Sequence, residues 1–582
     1  MFFVLKWLVP YWTRHPARIA VIVALGVLGS ALGTAVPLFI KEVIDGLQRN
    51  LSAQVIIKYV LMLAGLAVVN GVINLSAMIQ RAWMNSRIEY EVRNAVFEHI
   101  MRLDAGFFRR FSAGDLLTRL TDDTETKLTW FACSGVFRAL QSVVRLVFVL
   151  ALMLWLNPKL ALWALAPVPV FFIVVRTGHV IRRKSDSLQK AMSGAYAALD
   201  SCFNGVRIVK ANLKESAQEK IFAGMAKTQC EKQLDLTRSN ALMGALFSSV
   251  GYLCMISVLL GGGRMVIDGR TGLGELMAFY FFAQMLVMPL IDLSNFAVSG
   301  RSAEASIMRL QELLSARSAL TAAHRPRQLP ARIAELEFKN VSCYAPASGH
   351  KLLDKISFRA EAGQRIAVVG RIGCGKSTLL NLVPRLMEYD EGEITVNGIS
   401  VREFSVEGLR SVTGYAPQNA VLFSESVRDN IEMGRPLEPA RLARALHIAQ
   451  LEGELPRLSG GLAAVAGTKG SILSGGQRQR VSVARAVAAG PRILVLDDCA
   501  SAMDAGTEAS FWAALSAAIP GAICLMATHR TRTIAAAHHI LVLDSGRIVE
   551  QGRHDALMAA GGLYRKIYEH QKLAEEFEQQ LG

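Results

Sequence analysis

Charged residues are scarce in this chain, and acidic residues are scarcer than basic ones. Asp, Glu, Lys and Arg make up only 19% of the 582 residues, whereas hydrophobic residues make up 52%. Mean hydropathy is positive, at +0.31. So few charges argue against an ordinary soluble enzyme and predict membrane-spanning segments. The length is enough for two to four domains.

Cysteine is also sparse, and its eight positions are scattered. They include no Cys-x-x-Cys pair and no Cys/His cluster, which argues against a disulfide framework or a zinc site and fits a reducing cytoplasm. A removable signal is not predicted either. The start, MFFVLKWLVPYWTRHPARIA, has no basic residue before its apolar run and no small-residue cleavage site. It is predicted to be an interfacial amphipathic helix.

The shortage of acid leaves a net charge of +16, which has two interpretations. One is nucleic-acid binding. The other is retention of Lys and Arg in cytoplasmic loops by the positive-inside bias of membrane proteins. No basic tract with interleaved aromatics is present, so the membrane interpretation is favoured and no nucleic-acid partner is predicted.

Six apolar segments are long enough to cross a bilayer. They lie at 19–40, 60–79, 137–157, 160–178, 241–263 and 276–297. The turn at 157–159 makes the third and fourth a tight hairpin. The long connections after the second and fourth are charged, periodic and poor in Gly and Pro, so they are predicted to extend as helices into the cytoplasm, with turns at 111–123 and 204–212.

The chain is therefore divided into three parts. Residues 1–315 form the membrane domain with six helices and two long cytoplasmic loops, and 316–332 form a polar linker with prolines at 326 and 330. In 333–582, strand-like and helix-like runs alternate, which predicts an α/β domain with a largely parallel sheet. Its charged ending, YRKIYEHQKLAEEFEQQLG, is predicted to be a solvated helix.

A glycine-rich loop in RIAVVGRIGCGKSTLL stands between a predicted strand and helix. Glycines there let backbone N–H groups curl around phosphates, Lys376 reaches the β- and γ-phosphates, and Ser377 is predicted to bind Mg²⁺. The pattern thus predicts an ATP and Mg²⁺ site. Its loop residues are Gly370, Arg371, Ile372, Gly373, Cys374, Gly375, Lys376, Ser377 and Thr378. Cys374 is either a packing residue or a thiol made reactive by Lys376.

A second apolar run, ILVLDD, ends in two adjacent carboxylates. Beside a phosphate-binding loop, Asp497 is suited to hold Mg²⁺ through water, and Asp498 stands where a general base would face the attacking water.

The segment ILSGGQRQRVSVARA at 472–486 contains LSGGQ, which resembles the signature of ABC-transporter ATPases. Together with six spans before one nucleotide-binding domain, it makes nearly the whole chain resemble bacterial B-type exporter half-transporters of the multidrug and lipid A-core flippase group. The resemblance implies that ATP is sandwiched between two such domains, and that each signature completes the other domain's site. The signature residues here are Ser474, Gly475, Gly476 and Gln477.

The same resemblance assigns further residues. Gln418 is similar to the glutamine that senses Mg²⁺ and faces the membrane domain, and His529 to the switch histidine that contacts the γ-phosphate. Ser501 and Asp504 correspond to residues of the family's D-loop, which follows the paired acids. That loop reads SAMD here, where the family usually has SALD. The predicted catalytic residues are then Asp498, His529 and Gln418. Alone, His529 after an apolar strand would more often be a core histidine.

Three departures from the family pattern stand out. Asp498 replaces the usual Glu, and AGTKG has Thr468 where a Glu is usual. SCYAP has Ala345 at the place of the adenine-stacking Tyr, with Tyr344 one residue early. Tyr344 is therefore either a base-stacking residue or an ordinary strand residue.

The departure at Asp498 affects how many of the dimer's two ATP sites are expected to hydrolyse ATP at a normal rate. Replacing Glu by Asp withdraws the carboxylate by one bond, about 1.5 Å. A misplacement of about 1 Å can slow a reaction on the order of 100-fold. Such a site binds ATP and hydrolyses it slowly. A heterodimer with a second half-transporter that carries Glu is favoured over a homodimer with two slow sites.

The function expected from the resemblance is ATP-driven export or flipping of an amphipathic or hydrophobic compound (drug, lipid or peptide) by alternating access. It implies membrane lipid and an amphipathic small molecule as partners, in the bacterial cytoplasmic membrane with the nucleotide-binding domain in the cytoplasm. A homodimeric slow exporter, an importer of a metal chelate and an ATP-gated channel or sensor stay open. The six spans exclude a soluble ABC ATPase.

Charged residues inside the predicted spans are candidates for substrate contact. Arg145 lies about 18 Å deep if its helix ends at Asn157. Arg138 is on the same face, nearer the inner interface, where it can snorkel. Asp292 in the last span is expected to pair with Arg145, and direct contact of Arg145 with an anionic substrate is the alternative.

Overall fold

The computed structural model describes residues 2–49, 52–171, 178–320, 325–345, 349–501 and 503–581. It consists of two compact units. One is formed by Met1–Met101 and Ser112–Ala316, the other by Arg102–Phe111 and Arg317–Gly582. Residues 321–324 of the predicted linker lie outside the described part.

The first unit is entirely helical in its described residues. Up to residue 316 the helices are α1 (Phe2–Thr13), α2 (Pro16–Gln48), α3 (Ala53–Met101), α4 (Ala105–Arg110), α5 (Ala113–Leu120), α6 (Val136–Leu156), α7 (Pro158–Leu165), α8 (Gly178–Asn204), α9 (Val206–Ala211), α10 (Glu215–Ile267) and α11 (Leu273–Ser315), of which α4 belongs to the second unit. Two π-helical stretches, Asp123–Thr129 and Phe131–Gly135, join α5 to α6.

Within the described ranges, five helices are long and apolar enough to cross a membrane. They are Pro16–Gln48, Ala53–Met101, Ala113–Leu156, Glu215–Ile267 and Leu273–Ser315. Four of the six predicted spans lie inside them, and a fifth, 137–157, ends one residue beyond Leu156. The remaining span, 160–178, begins in the shorter apolar helix Pro158–Phe171 and runs into residues 172–177, which lie outside the described part.

The long connections are helical, as predicted. Helices α3 and α10 each continue far beyond the length needed for a bilayer, which is about 20 residues. The turn predicted at 204–212 contains the short helix α9. The turn predicted at 111–123 is wrong for most of its length, because Ser112 caps a helix there and Ala113–Leu120 form α5. Asp104 caps α4 by accepting from the backbone N–H of Gly106 at 2.6 Å and of Phe107 at 3.2 Å.

The second unit is an α/β domain with two sheets. Its strands are β1 (Glu335–Tyr344), β2 (Lys351–Glu361), β3 (Arg365–Gly370), β4 (Glu391–Val396), β5 (Ile399–Ser400), β6 (Thr413–Ala416), β7 (Ile493–Asp497), β8 (Ile523–Ala527), β9 (His539–Asp544) and β10 (Arg547–Gly552). Strands β2-β1-β4-β5 form an antiparallel sheet. Strands β10-β9-β3-β8-β7-β6 form the second sheet, parallel except at β10, as predicted.

Helices cover the parallel sheet. They are α12 (Lys376–Leu382), α13 (Val406–Ser411), α14 (Val427–Glu432), α15 (Pro439–Ile448), α16 (Gly475–Ala488), α17 (Ala505–Ala518), α18 (Thr531–Ala535), α19 (His554–Ala560) and α20 (Leu563–Leu581). Successive residues of β3 alternate between two cores. Ala367 and Val369 pack in one, and Ile366 and Val368 pack in the other. Burial on both faces explains why these strands are apolar throughout.

Candidate functional sites

The glycine-rich loop lies where β3 passes into α12. Gly373 and Gly375 have φ of +81° and +107°, in the left-handed region that favours glycine. A Cβ on Gly375 would also lie 3.0 Å from the carbonyl oxygen of Leu352. Both glycines are therefore required by the backbone, and the loop presents its N–H groups at the start of α12, as phosphate binding needs.

Lys376 and Ser377 begin α12 and point in different directions. The Nζ of Lys376 donates to the carbonyl oxygens of Gly370 at 2.8 Å and Arg371 at 3.1 Å. The hydroxyl of Ser377 bonds to the carboxylate of Asp497, at the end of β7. The loop thus holds the lysine, and the serine connects the loop to the first of the paired acids.

A cavity of about 870 Å³ lies against this loop. Its predicted site residues are Ile372, Gly373, Gly375, Lys376, Ser377, Thr378, Gln418, Asp497, Asp498 and His529. Residues far apart in the sequence meet here because β3, β7 and β8 are neighbours in the sheet and end at the same edge. The volume is within the range of cavities that hold ligands of nucleotide size.

Asp497 is buried, and burial raises the pKa of its carboxyl. The hydrogen bond from Ser377 and the charge of Lys376 act in the opposite direction and favour the carboxylate. The hydroxyl of Ser377, the amide of Gln418 and the carboxylate of Asp497 can all supply hard oxygen ligands to this cavity, which is the donor set that Mg²⁺ prefers. The residues present therefore fit the metal.

Asp498 has an unusual backbone. Its φ is +48°, and its N–H donates to the carbonyl oxygen of Ala527 at 2.9 Å. Asp and Asn enter this left-handed region more readily than most residues with a Cβ. The Oδ1 atom is buried and has no hydrogen-bond partner among the described residues. Burial raises the pKa of Asp498, and the neighbouring His529 opposes that rise.

His529 lies just after β8 and is half-buried. Burial lowers the pKa of its imidazole, and the nearby charge of Lys376 lowers it further. The ring is therefore neutral at physiological pH. Its Nδ1 lies 2.9 Å from the side-chain Nε2 of Gln571 in the last helix, α20.

The signature begins α16 on the surface of the unit. Ser474 and Gln477 form a capping box, in which the Ser474 Oγ accepts from the Gln477 N–H at 3.2 Å and the Gln477 Oε1 accepts from the Ser474 N–H at 2.9 Å. Ser474 and Gly475 are exposed and, like Gly476, do not line the cavity. The chain does not bring its own signature to its own loop.

Tyr344, the last residue of β1, does not itself line the cavity, but its ring centroid lies 5.6 Å from Nζ of Lys351, which does. Its N–H donates to Asp390 Oδ2 at 2.7 Å, and its hydroxyl donates to Glu391 Oε1 at 3.2 Å. Both predicted roles, base-stacking residue and ordinary strand residue, stay open. Residues 346–348, which follow it, lie outside the described part.

Other cavity residues escaped the sequence analysis. Lys351, Asp354 and Arg547 form an ion-pair cluster at the cavity, with Asp354 accepting from Lys351 Nζ at 2.9 Å and from Arg547 Nε at 2.8 Å. His350, Leu352, Ala527, Ser545 and Gly546 also line it. The sequence DSGR, 544–547, is typical of a hairpin turn and could have drawn attention to Arg547. It is the pairing of β9 with β3 that places this hairpin beside the glycine-rich loop.

The predicted ion pair in the membrane domain is not formed. Asp292 accepts a hydrogen bond from the Ser142 hydroxyl at 3.0 Å, and among the described residues no salt bridge joins it to Arg145. Ser142 lies between the two arginines on α6 and takes the place expected for Arg145. Asp292 instead shares a cavity of about 390 Å³ with Arg138 and Lys127, and Arg145 does not line it.

Two family models match the chain. One described as ABC transporter transmembrane region matches residues 19–290, and one described as ABC transporter matches residues 353–501. The first match covers most of the helical unit, and the second covers the part of the other unit that contains the glycine-rich loop, the signature and the paired acids. They indicate a multi-pass membrane protein, in agreement with the five apolar helices.

Curated relatives are similar over most of this chain. A multidrug efflux ATP-binding/permease protein of Mycobacterium bovis is 30% identical over 566 residues, which is 96% of this chain and 46% of the relative, so the chain spans about half of its length. An ATP-dependent lipid A-core flippase of Pseudomonas fluorescens is 32% identical over 484 residues, 82% of this chain and 79% of the relative. A probable multidrug resistance ABC transporter ATP-binding/permease protein of Bacillus subtilis is 30% identical over 571 residues, 97% of this chain and 96% of the relative.

A solved structure described as a bacterial Atm1-family ABC exporter with ATP bound has the same fold. Its TM-score is 0.84, the match covers 96% of this chain and 98% of that one, and the two sequences are 24% identical. At that identity the likeness shows the fold: an exporter-type helical membrane domain joined to an ATPase domain of ABC type.

Proposed function

This chain belongs to the ABC transporter family, and we propose that it is half of an exporter that couples ATP hydrolysis to export or flipping of an amphipathic or hydrophobic compound. The compound is a drug, a lipid or a peptide, moved across a bacterial cytoplasmic membrane by alternating access. The relatives named as multidrug efflux and lipid A-core flippase proteins support this substrate class.

The observation that carries the proposal is the convergence of the P-loop, the paired acids, Gln418 and His529 on one cavity. There, Lys376 contacts the β- and γ-phosphates, and the loop N–H groups cradle them. Ser377, Gln418 and Asp497 would hold Mg²⁺, which would supply positive charge to the phosphates when bound. Asp498 orients the attacking water, and His529 contacts the γ-phosphate.

The geometry of Asp498 favours unequal sites. Its short side chain keeps the carboxylate about 1.5 Å farther back than a Glu would place it. The signature at Ser474 is capped, exposed and outside this chain's own cavity, which suits a role in a partner's site. We therefore infer a heterodimer in which this chain's loop holds ATP and its signature completes the faster site of a second half-transporter.

Transport in inverted membrane vesicles tests the proposal. Lys376→Ala should abolish ATP-dependent accumulation of substrate because the loop loses its phosphate contact. Ser405→Ala, at a residue that caps α13 and does not line the cavity, is the control and should keep transport. Accumulation that survives Lys376→Ala would refute the proposed exporter.

Three alternatives give different results in the same vesicles. An importer of a metal chelate would move substrate in the opposite direction. A channel or sensor gated by ATP would let substrate equilibrate but not accumulate. A homodimeric slow exporter would accumulate substrate without a second subunit in the purified assembly.

The cavity at Arg138 is the place where we propose substrate contact. Arg138 and Lys127 supply positive charge, Asp292 supplies negative charge, and Trp130 and Phe296 supply apolar surface. Such a mixture suits an amphipathic molecule with a charged group. Arg145 lies outside this lining, so Arg138→Gln should weaken transport more than Arg145→Gln does. Equal effects would remove this cavity as the substrate site.

A further inference from the structure

The last helix, α20, is packed against the domain rather than solvated. At its start, the Glu550 carboxylate accepts from the N–H of Tyr564 at 3.0 Å, and the Tyr564 side chain is buried. Farther along, Ile567 and Tyr568 pack against the core of the domain. The helix therefore has one face turned to the protein, although its composition is charged.

Farther along the helix, the same face contacts the segment that contains His529. The Glu575 carboxylate accepts from the backbone N–H of Thr531 at 3.0 Å and from the Thr531 hydroxyl. One turn earlier, Gln571 Nε2 lies 2.9 Å from His529 Nδ1. Residues four apart on a helix lie on the same face, so α20 contacts this segment at two successive points.

The Gln571 amide is oriented with Nε2 toward the ring and with Oε1 buried and without a hydrogen-bond partner among the described residues, and this orientation assigns the protonation of the ring. An amide nitrogen can only donate, so His529 Nδ1 accepts, and the ring hydrogen of a neutral imidazole is then on Nε2. His529 lines the nucleotide cavity, and with Nδ1 engaged by Gln571, the Nε2–H is the group available to it. A neutral ring with its hydrogen on Nε2 is a donor to phosphate, whereas the other tautomer would present a lone pair.

We propose that Gln571 is a positioning residue that holds His529 in the tautomer whose Nε2–H donates to the γ-phosphate of bound ATP. The inference rests on the proposed function, since it needs ATP in this cavity. It adds a second consequence: α20 is part of the apparatus that distinguishes ATP from ADP, because only ATP has the γ-phosphate.

The charged groups around the ring are few. Lys376 of the loop and Asp498 after β7 act on its charge in opposite senses, and Arg530 follows it in the chain. From α20, Glu575 is occupied by Thr531. Replacing Gln571 by Glu would add a carboxylate at Nδ1, which accepts only. That carboxylate favours the doubly protonated ring at low pH and the wrong tautomer, with a bare Nε2, at high pH.

The test compares affinities for Mg-AMP-PNP and Mg-ADP in the full-length protein in lipid nanodiscs between pH 6 and pH 9. For each protein, the preference is the Kd for Mg-ADP divided by the Kd for Mg-AMP-PNP. The preference of each variant is then divided by that of the wild type at the same pH. For Gln571→Glu this quotient should be near 1 at pH 6 and fall about two- to tenfold by pH 9, the factor that one net hydrogen bond supplies. Gln571→Leu should give a smaller, pH-independent loss. Glu576→Gln, exposed on the same helix, should give a quotient of 1.

A quotient near 1 at every pH for Gln571→Glu would overturn the inference, because it would mean that Nδ1 donates to residue 571 or that the contact does not matter. If that variant binds neither nucleotide, Gln571→Leu decides, and a quotient of 1 for it overturns the inference. Wild-type protein that does not bind AMP-PNP, or that binds it equally after Lys376→Ala, would instead refute the proposed function and this inference with it.

Discussion

Asp498 combines a left-handed backbone with a buried carboxylate oxygen that has no partner among the described residues. The family resemblance raises the question of why an Asp replaces a Glu there, and the backbone supplies one physical reason. Asp tolerates positive φ better than Glu because its short side chain can interact with nearby backbone groups. Position 498 therefore accommodates Asp at little conformational cost, and if Asp498 is the proposed base, its shorter reach is expected to lower its efficiency.

Ionised Asp498 should cost stability, and the cost has a definite pH dependence. Because burial raises the pKa of Asp498, the folded state binds its proton more tightly than the unfolded state does. Below about pH 4 the group is protonated in both states and there is no cost. As the pH rises through the raised pKa, stability is lost. Asp498→Asn should therefore raise Tm at pH 7.5 relative to the wild type, and the gain should shrink toward about pH 4, near the pKa of Asp in the unfolded chain.

The matched control for that melting experiment is Asp504→Asn. Asp504 caps α17, accepting from Gly506 N–H at 3.0 Å and Thr507 N–H at 2.9 Å, and these bonds lower its pKa. Its ionised form is stabilising, so this substitution should lower Tm at pH 7.5 or leave it unchanged. A Tm gain that is equal at both pH values for Asp498→Asn would show that the buried charge is not its cause.

At the scale of elements, the start of α16 has two separable roles. Ser474 caps the helix through the box with Gln477, and loss of such a cap costs about 1 kcal/mol. The family resemblance also places Ser474 against a partner's ATP. Ser474→Asp keeps a capping oxygen but adds negative charge, whereas Ser474→Ala removes the cap. Both should nearly stop steady-state ATPase, and only Ser474→Ala should lower Tm clearly. If Ser474→Asp keeps both its Tm and its ATPase activity while Ser474→Ala loses both, helix capping is the only role of Ser474.

The terminal helix shows why an element can be misjudged from composition. YRKIYEHQKLAEEFEQQLG is charged and predicts solvation, yet Tyr564, Gln571 and Glu575 lie on one face and contact the domain. Tyr564, Ile567 and Tyr568 recur at helical spacing and pack on the core, so the first half of this face is apolar. Its second half consists of the polar residues Gln571 and Glu575, which give no apolar signal. The polar partners Glu550 and Thr531 come from other parts of the chain.

For the whole molecule, we predict that the two ATP sites of the assembly are unequal. ATP should stay on this chain's loop through many transport cycles, while the site completed by Ser474 carries the turnover. A factor of about 100 in rate corresponds to about 2.7 kcal/mol of barrier, which a displaced base can cause. Trapping of labelled ATP, followed by separation of the subunits, should find intact ATP on this chain and ADP on its partner.

Substitution of the base checks the same asymmetry. Asp498→Glu should leave steady-state turnover of the assembly unchanged or raise it modestly, because the faster site is elsewhere. Should the protein be active as a homodimer in which Asp498→Asn stops hydrolysis and Asp498→Glu does nothing, the sites are equal. Asp498 would then be an ordinary base with a short side chain.

Local patterns were enough for most of the architecture and for the nucleotide site. Long apolar runs predict membrane helices because a bilayer sets their length, and glycines at 373 and 375 predict a phosphate loop because the backbone there needs positive φ. The parallel sheet and the cavity residues Lys376 and Asp497 followed from strand-ending motifs, whereas His529 was assigned by the family resemblance. These features depend on residues close in sequence, so their signals are local.

Contacts between distant segments had no such signal. The pairing of β9 with β3 brings Lys351, Asp354 and Arg547 to the cavity, and the packing of α20 brings Gln571 to His529. In the membrane domain, Ser142, which precedes Arg145 by three residues on α6, contacts Asp292 in its place. Each depends on which faces of two elements meet, and that is set by packing of the whole domain rather than by the spacing of residues within either element.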